Sequence, residues 1–196
     1  MEPFWPVVLK QDNLLLRPLK YTDKFAWEKI RDKNDNWFKE WEATVPEEFN
    51  EGKLNFFQIV KGFRKEAKAH RSLPFVMQID KKLAGQVTVG NINYGSTRSA
   101  YIGYWIAEEF AGKGYTPLAV ALAIDYCFEK LKLHRIEIAI RPENTKSLRV
   151  AEKLGLRKEG IRPKFLHING DWRDHVIYAI HEDEITDSLV LKLKNK

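Results

Sequence analysis

Hydrophobic and polar positions alternate through much of the first hundred residues, and this alternation predicts the strands of a sheet. A first strand is expected at Asn13 to Pro18, and two more, FVMQI and LAGQVTVGNI, flank a turn at Asp80. A fourth strand, Tyr101 to Ala107, follows a turn at Asn93 to Ser99. Strands joined by short turns pair antiparallel, so we expect a meander through this half of the chain.

Two segments of the same half carry apolar residues at helical spacing. Thr22 and Asp23 predict the start of a helix that runs to about Asp32. A second helix is expected from Phe49 to His70. Its inner face should carry Leu54, Phe57, Phe63 and Ala67.

The segment between these helices is rich in turn-forming and acidic residues, yet it contains three aromatic residues, Trp37, Phe38 and Trp41. Aromatic side chains near a helix end usually anchor it by packing. They could equally line a substrate pocket. Both interpretations remain open from the sequence.

Strands alternate with helices in the second half. A strand is expected at His134 to Ile140, and a helix near Asn144 to Lys153 should end at Gly155. The Asn169-Gly170 dipeptide is a strong hairpin signal. The remaining elements are the hairpin strands, Leu156 to Ile168 and Trp172 to Ile180, and a C-terminal helix with a basic tail, Glu182 to Lys196. This order predicts an α+β fold with a mixed sheet and helices on both faces.

The stretch from Tyr101 to Ile124 combines a strand, a loop with Gly112 and Gly114, and an apolar helix. Thr116 is expected as the helix N-cap, with Pro117 in the first turn. Free amides of a glycine loop and the positive end of a helix make a phosphate cradle in outline. The same spacing also fits an ordinary tight connection, and it matches neither of the commoner nucleotide fingerprints.

Composition places the chain among folded proteins. It has 196 residues, of which 44% are hydrophobic and 12% aromatic, so we expect one domain over residues 1–196 with its core at about 12–181. The longest apolar run, Leu118 to Ile124, is too short to cross a bilayer, and the first residues do not resemble a secretion signal. A cytoplasmic protein that does not bind a membrane is therefore expected.

The net charge, the single cysteine and the histidines indicate which partners and cofactors to expect. The net charge of +6 favours an anionic partner, but no basic stripe interleaved with aromatic residues suggests direct nucleic-acid binding. Cys127 is the single cysteine and lies among apolar residues, which favours a buried structural thiol over a nucleophile. The five histidines show no metal-ligand spacing, so no metal is expected.

Two longer motifs in the second half resemble a known superfamily. RPENTKSLRVAEKLGLRKEG and LHINGDWRDHVIYAI follow YIGYWIAEEFAGKGYTPLAVALAIDYCFEKLKLHRIEI. Together they resemble the Gcn5-related N-acetyltransferase (GNAT) superfamily and are most similar to the RimJ/RimL group of ribosomal-protein N-terminal acetyltransferases. The resemblance runs from about Leu14 to Ile180. It implies a mostly antiparallel mixed sheet whose two central strands splay around the cofactor.

The resemblance also implies an acetyl-CoA site without a metal. In that family the loop after the fourth strand binds the CoA pyrophosphate through backbone amides in a [Q/R]-x-x-G-x-[G/A] pattern. Gly114 matches its central glycine, whereas Ala111 replaces the Gln or Arg and Thr116 replaces the small last residue. The six positions are Ala111, Gly112, Lys113, Gly114, Tyr115 and Thr116.

The pantetheine arm is implied to lie between the strands at Tyr101 to Ala107 and Arg135 to Ile140. Backbone amides near Trp105 and Ile106 would hold the thioester carbonyl. Asn144 matches the family's CoA-contacting asparagine.

Catalytic candidates follow from the same comparison. Ser147 matches the hydroxyl proposed to protonate the departing thiolate, although a serine there could simply stabilise local backbone. Glu137 faces either a polar cleft or an arginine partner. Leu166 occupies the place of the family's glutamate base. His167 and Glu108 could relay a proton through water, or be exposed structural residues.

Three functions remain open at this point. The resemblance favours transfer of an acetyl group to the N-terminal amine of a protein, with ribosomal protein as the preferred class, by a monomer or a homodimer. The alternatives are a small-amine acetyltransferase, for polyamines or aminoglycosides, and a CoA-binding or ribosome-associated module without turnover. The acceptor pocket is expected to include Trp37, Trp41 and Tyr104.

Overall fold

The computed structural model describes residues 4–49, 52 and 54–195. Its centre is an eight-stranded sheet. The strands are β1 (Leu9–Gln11), β2 (Leu14–Pro18), β3 (Leu73–Ile79), β4 (Lys82–Asn93), β5 (Ser99–Ile106), β6 (Arg135–Ile140), β7 (Arg157–Ile168) and β8 (Asp171–His181). The helices are α1 (Lys24–Lys33), α2 (Asp35–Lys39), α3 (Phe56–Lys68), α4 (Tyr115–Glu129), α5 (Thr145–Leu154) and α6 (Leu189–Lys194).

The sheet order is β1-β2-β3-β4-β5-β6-β8-β7. Neighbouring strands of the described chain pair antiparallel, except β5 and β6, which are parallel. The predicted meander from β2 to β5 and the predicted hairpin of β7 and β8 are confirmed. The α+β fold with a mixed, mostly antiparallel sheet is therefore confirmed.

Alternation along β3 shows how helices cover both faces. Phe75 and Met77 join the larger core cluster with buried residues of α4, α5 and α6. Val76, between them, packs in a second cluster with Trp27 of α1 and Phe56 of α3. Successive strand residues point to opposite faces, so the two clusters lie on opposite sides of the sheet.

Helix α3 is shorter than predicted. It begins after Asn55, whose side chain accepts a hydrogen bond from the backbone amide of Gln58 while the Gln58 side chain accepts one from the Asn55 amide. This capping box fixes the start at Phe56, which was predicted at Phe49. Of that earlier stretch, residues 50, 51 and 53 lie outside the described chain.

The predicted inner face of α3 was partly wrong for the same reason. Leu54 lies before the helix and is 64% exposed, and Phe57 is 52% exposed. Phe56 and Val60 are buried in their place, and Ala67 is buried as predicted. Adjacent helix positions are turned by roughly 100°, so Phe56 and Phe57 lie on different sides of the helix and only one of them can face the core.

Two further elements were not predicted, and the C-terminal helix packs into the core. Strand β1 was not predicted, and a short helix, α2, replaces the expected turn around Trp37. At the other end, Leu189 and Val190 of α6 are buried, and their amides donate to the Asp125 carboxylate at 2.9 and 3.1 Å. The packed core thus extends beyond residues 12–181 at both ends. Lys196 of the predicted basic tail lies outside the described chain.

The parallel pair at the centre of the sheet positions the site. Residues Ser99 to Tyr101 of β5 pair with Arg135 to Glu137 of β6, and the pairing then stops although both strands continue. Strand β8, in contrast, stays paired with β6 as far as Ile140. The two central strands therefore separate toward their C-terminal ends, as predicted.

Within the described ranges, no helix combines the length and the apolar character that a membrane span requires.

Candidate active site

A cavity of about 800 Å³ lies where β5 and β6 separate. Its walls are the C-terminal halves of both strands, the loop before α4, one side of α5, the α2 segment and the β7–β8 hairpin. The crevice expected between the central strands is therefore present. Its lining shows which of the predicted site residues lie together.

The loop before α4 forms the anion cradle. Gly112 and Gly114 have φ values of +75° and +82°, which favour glycine. No hydrogen bond to a described protein acceptor is made by the amides from Gly112 to Thr116. The loop and the N-terminal end of α4 both border the cavity, and free amides beside the positive end of a helix dipole are an arrangement that binds phosphate.

The start of α4 corrects one prediction. Gly114 is the N-cap in a left-handed conformation, and the helix begins at Tyr115, so Thr116 is not the cap. Pro117 lies in the first turn, where its missing N–H would have had no helical partner. Glycine takes the cap position because the chain must turn there with a positive φ.

Most of the predicted loop residues line the cavity. Ala111, Gly112, Gly114, Tyr115 and Thr116 do so, whereas the Lys113 side chain is exposed and outside the lining. Because its side chain lies outside the lining, the part of Lys113 that can contribute to the cradle is its backbone amide.

Strand β5 provides the wall on which the thioester is expected. Tyr104, Trp105 and Ile106 all line the cavity. The Trp37 indole donates a hydrogen bond to the Ile106 carbonyl at 3.0 Å. Trp105 packs against Phe38, with ring centroids 4.9 Å apart. Within the aromatic segment, Phe38 is buried, and Trp37 and Trp41 line the cavity.

Tyr104 and Ser147 form a hydroxyl pair in the cavity wall. Their side-chain oxygens are 2.7 Å apart. Asn144, the N-cap of α5, accepts a hydrogen bond from the Ser147 amide at 3.0 Å. Burial raises the pKa of Tyr104 to about 12, although its hydrogen bond with Ser147 opposes the shift. The tyrosine thus stays protonated at neutral pH, and the Ser147 hydroxyl contacts another side chain across the cavity wall.

The segment after α2 closes one side of the cavity. Ala43 forms an isolated bridge with Ile168, and the Thr44 amide donates to the His167 carbonyl at 2.9 Å. The Arg141 guanidinium donates to the Glu40 carbonyl at 2.9 Å and lies 5.2 Å from the centre of a Trp41 ring. These contacts tie the segment to the hairpin and to the end of β6.

Three predicted base candidates lie outside this cavity. Glu137 is 8% exposed, and its carboxylate accepts from Arg135 at 2.9 Å and Arg162 at 3.0 Å. His167 shares a hydrogen bond with the Thr44 hydroxyl through Nδ1 at 2.7 Å. The Glu108 side chain is exposed beside the cofactor loop. None of the three belongs to the described cavity lining.

One lining residue was not selected from the sequence. His175 of β8 is 2% exposed and lines the cavity beside Leu166 and Ile168. Its Nδ1 lies 2.9 Å from the Arg173 carbonyl oxygen. The sequence carried a weak signal, because this histidine directly precedes the apolar run VIYAI of the last strand.

Metal and thiol chemistry have no site in the described residues. In the ranges given above, no three His, Cys, Asp or Glu side chains lie close enough to hold a metal ion. Cys127 is fully buried in α4, and burial raises the pKa of its thiol, which disfavours the reactive thiolate.

Comparison with known proteins agrees with this geometry. The profile described as "Acetyltransferase (GNAT) domain" matches residues 13–157. "Probable N-acetyltransferase YjcK" of Bacillus subtilis (strain 168) is 34% identical over 182 residues, 88% of this chain and 96% of that protein. The "[Ribosomal protein uS5]-alanine N-acetyltransferase" of Escherichia coli (strain K12) is 30% identical over 176 residues, 89% of this chain and 90% of that protein.

A relative with another acceptor and a solved structure complete the comparison. "Spermidine N(1)-acetyltransferase" of Escherichia coli (strain K12) is 28% identical over 172 residues, 88% of each chain. The structure described as "Mycobacterium smegmatis RimJ in complex with CoA-disulfide" is 36% identical, covers 100% of this chain and 97% of that chain, and superposes with a TM-score of 0.91. The chain therefore belongs to the acetyltransferase (GNAT) family and is an N-acetyltransferase whose cosubstrate is acetyl-CoA.

Proposed function

We propose that this enzyme acetylates the N-terminal amine of a protein, and that a ribosomal protein is its substrate class. The proposal is supported by the relative whose name gives ribosomal protein uS5 as its substrate, and by the similarity to RimJ. These matches span most of the chain. They do not by themselves distinguish a protein from a polyamine, because a spermidine acetyltransferase is also related.

The charge of the cavity lining is the observation that favours a protein over a polyamine. Glu42 is the one acidic residue among the described lining residues, and both of its carboxylate oxygens are bound by Arg31. Four basic residues also line the cavity: Arg141, Lys146, Arg149 and Lys153. A polyamine carries several positive charges and would need unpaired carboxylates, whereas a peptide terminus brings one amine on an uncharged backbone.

The shape of the acceptor side agrees with a small N-terminal residue. Trp37, Trp41, Leu166 and Ile168 surround it with apolar surface. The segment after α2 is held beside this part of the cavity by the bridge between Ala43 and Ile168. An alanine or serine terminus would fill such a space without a charged side chain.

In the proposed reaction each wall of the cavity has one task. The amides from Gly112 to Thr116 bind the pyrophosphate of acetyl-CoA, and Asn144 contacts the cofactor. The backbone near Trp105 and Ile106 holds the thioester carbonyl, where negative charge develops as the amine attacks. Ser147, with its hydroxyl fixed by Tyr104, protonates the departing thiolate.

A thiol-release assay with acetyl-CoA tests the substrate class. The panel contains lysine-free peptides that begin with alanine or serine, the same peptides with blocked termini, spermidine and an aminoglycoside. We expect turnover of the free peptides, with a kcat/KM about tenfold or more above that for spermidine, and mass spectrometry should place the acetyl group on the α-amine. Blocked peptides should give no release.

Two results would contradict the proposal. A preference for spermidine or the aminoglycoside would assign a small-molecule acceptor. If none of the acceptors in the panel gives thiol release while CoA binds normally by calorimetry, the protein would be a CoA-binding module without turnover.

A further inference from the structure

The acceptor amine needs a group that takes its proton. An α-amine has a pKa of about 8, so most of it arrives as the ammonium ion at neutral pH. The ammonium nitrogen has no lone pair and cannot attack the thioester. Position 166 is a leucine, so no carboxylate projects from that point of the cavity wall.

Few titratable residues of the described lining can act as the acceptor of this proton. Arg141 and the three other basic residues of the lining are hydrogen-bond donors without an acceptor atom. Tyr104 is protonated, since burial raises its pKa to about 12. Both carboxylate oxygens of Glu42 already accept hydrogen bonds from Arg31. The hydroxyl of Tyr115, which also lines the cavity, accepts a hydrogen bond from the Asn13 side chain at 3.2 Å. His175 is the described lining residue that brings an imidazole, the side chain suited to proton transfer near neutral pH.

The hydrogen bond of His175 fixes which ring nitrogen is available. A carbonyl oxygen can only accept, so Nδ1 carries the proton and donates it to the Arg173 carbonyl at 2.9 Å. Nε2 of the neutral ring is then an unprotonated acceptor. Within the described chain the ring makes no second hydrogen bond, and it packs edge-on against Phe165, with centroids 5.9 Å apart.

The surroundings keep this imidazole neutral. Burial lowers the pKa of His175 below its usual value, and the positive charge of Arg141 acts in the same direction. The Arg173 carbonyl and the charges of Asp174 and Glu143 oppose the shift. Arg162 lies directly across the hairpin in the strand register. A neutral imidazole at pH 7 is the form that a general base requires.

The strand register places His175 at the open end of the crevice. Val176, its neighbour, pairs with Ile140, the last residue of β6. Ile138, Ala139 and Ile140 line the cavity on the same wall. The ring therefore lies beside the stretch where β6 has separated from β5, which is the place that the proposed reaction assigns to the thioester.

We propose that Nε2 of His175 is the general base of this enzyme and takes one proton from the bound ammonium group of the acceptor. This proposal rests on the acetyl transfer described above, but it does not depend on whether the acceptor is a peptide or a small amine.

The step balances without another reactant. The first proton passes from the ammonium nitrogen to Nε2, and the nitrogen lone pair then forms the N–C bond to the thioester carbon. The C–S bond breaks, and the second amine proton ends on the CoA sulfur through the Ser147 hydroxyl. The products are the acetylated amine and CoA thiol, and the imidazolium releases its proton to solvent.

The test is the pH dependence of kcat for the wild type and His175→Gln, at saturating concentrations of whichever amine the wild type turns over. Activity of the wild type should fall on the acid side below about pH 6.5, through the lowered pKa of His175. In His175→Gln this limb should move toward pH ~8, where the amine itself ionises, and kcat at pH 7 should fall about 100-fold. The KM for acetyl-CoA should change less than about twofold.

Two histidine variants serve as controls. His134→Gln removes an imidazole at the surface, where its partner is Glu182, and should keep the wild-type profile. His167→Gln tests the neighbouring histidine of β7. If His167→Gln moves the limb and His175→Gln does not, His175 is not the base.

The proposal can also be tested if His175→Gln does not fold. Nitrogen NMR of the wild-type protein should show His175 as the Nδ1–H tautomer with a pKa below 6.5. An Nε2–H tautomer would overturn the proposal. An unchanged acid limb in a folded His175→Gln enzyme would also overturn it, whereas failure of all peptides as acceptors would contradict only the proposed substrate class.

Discussion

Tyr104 and Ser147 show how the site is built at the scale of residues. They are 43 positions apart in the chain, and their hydroxyl oxygens lie 2.7 Å apart. The serine matches a family motif and could be selected from the sequence, whereas the tyrosine was expected only as part of the acceptor pocket. Their contact exists because β5 and α5 border the same cavity, which no local pattern encodes.

Removing the tyrosine hydroxyl tests whether it positions Ser147. We expect Tyr104→Phe to lower kcat about tenfold and Ser147→Ala to lower it more, with acetyl-CoA affinity changed less than about twofold. The double variant should be no slower than Ser147→Ala alone, because the tyrosine acts through the serine. Stopped-flow measurement of thiol release gives the three rates.

Tyr101→Phe is the matched control for this prediction. Tyr101 lies on the same strand, but its hydroxyl accepts from Arg162 outside the described cavity lining. Additive losses in the double variant would contradict a shared function of the pair. Because burial raises the pKa of Tyr104 to about 12, the effect of Tyr104→Phe should also be constant from neutral pH to about pH 10.

At the scale of elements, the turn between β5 and α4 is the proposed cofactor site. Gly112 and Gly114 both have positive φ, and no atom lies within 4 Å of where a Cβ of either would be. Space is therefore available at both positions, so backbone conformation alone explains the need for glycine. We expect that conformation to direct the amides from Gly112 to Thr116 toward the cavity that the loop borders.

Gly114→Ala tests this backbone requirement. A left-handed conformation costs a residue with a Cβ roughly 1–2 kcal/mol, so the loop should rotate away and CoA should bind about tenfold more weakly. Gly62→Ala in α3 is the control, because its added methyl also meets open space and should stabilise the helix by roughly 0.5–1 kcal/mol. Titration calorimetry measures both affinities. Equal CoA affinity of Gly114→Ala and the wild type would contradict the cradle.

At the scale of the whole molecule, a cluster of charges links distant parts of the chain. Glu159 of β7 accepts from Arg135 of β6 and from Arg157, and Arg157 in turn binds Glu184 after β8. Glu137 joins the same cluster through Arg135. The cluster holds the outer hairpin and the C-terminal segment against the central strands, away from the described cavity lining.

This cluster predicts how stability depends on acid. The hydrogen bond from Arg135, with help from Arg157, lowers the pKa of Glu159 to about 2. A carboxyl with a lowered pKa stabilises the fold above its unfolded pKa of about 4.5, and this contribution is lost as the pH falls toward 2. Glu159→Gln should therefore reduce the difference in Tm between pH 5 and pH 3. Glu28→Gln, in an exposed pair with Lys24, should leave that difference unchanged.

Local sequence signals determined most of the secondary structure. Alternation placed β2 to β6, Asn169 and Gly170 placed the last hairpin, and Gly155 in its left-handed conformation ends α5 as predicted. Two helix starts were predicted wrongly. Leu54 was placed inside α3 and Thr116 at the N-cap of α4, but the observed caps, Asn55 and Gly114, exclude both positions. A cap fixes the phase of a helix through hydrogen bonds that composition alone does not rank.

The sequence by itself determined the family and the fold class, because these depend on the order and spacing of residues along the chain. The tertiary structure decided which side chains meet in the cavity. It placed Glu137 among arginines, Glu108 and His167 outside the described lining, and His175 inside it. The reason is that burial, charge pairing and a free ring nitrogen depend on neighbours brought together by strand register, and these neighbours are distant in sequence.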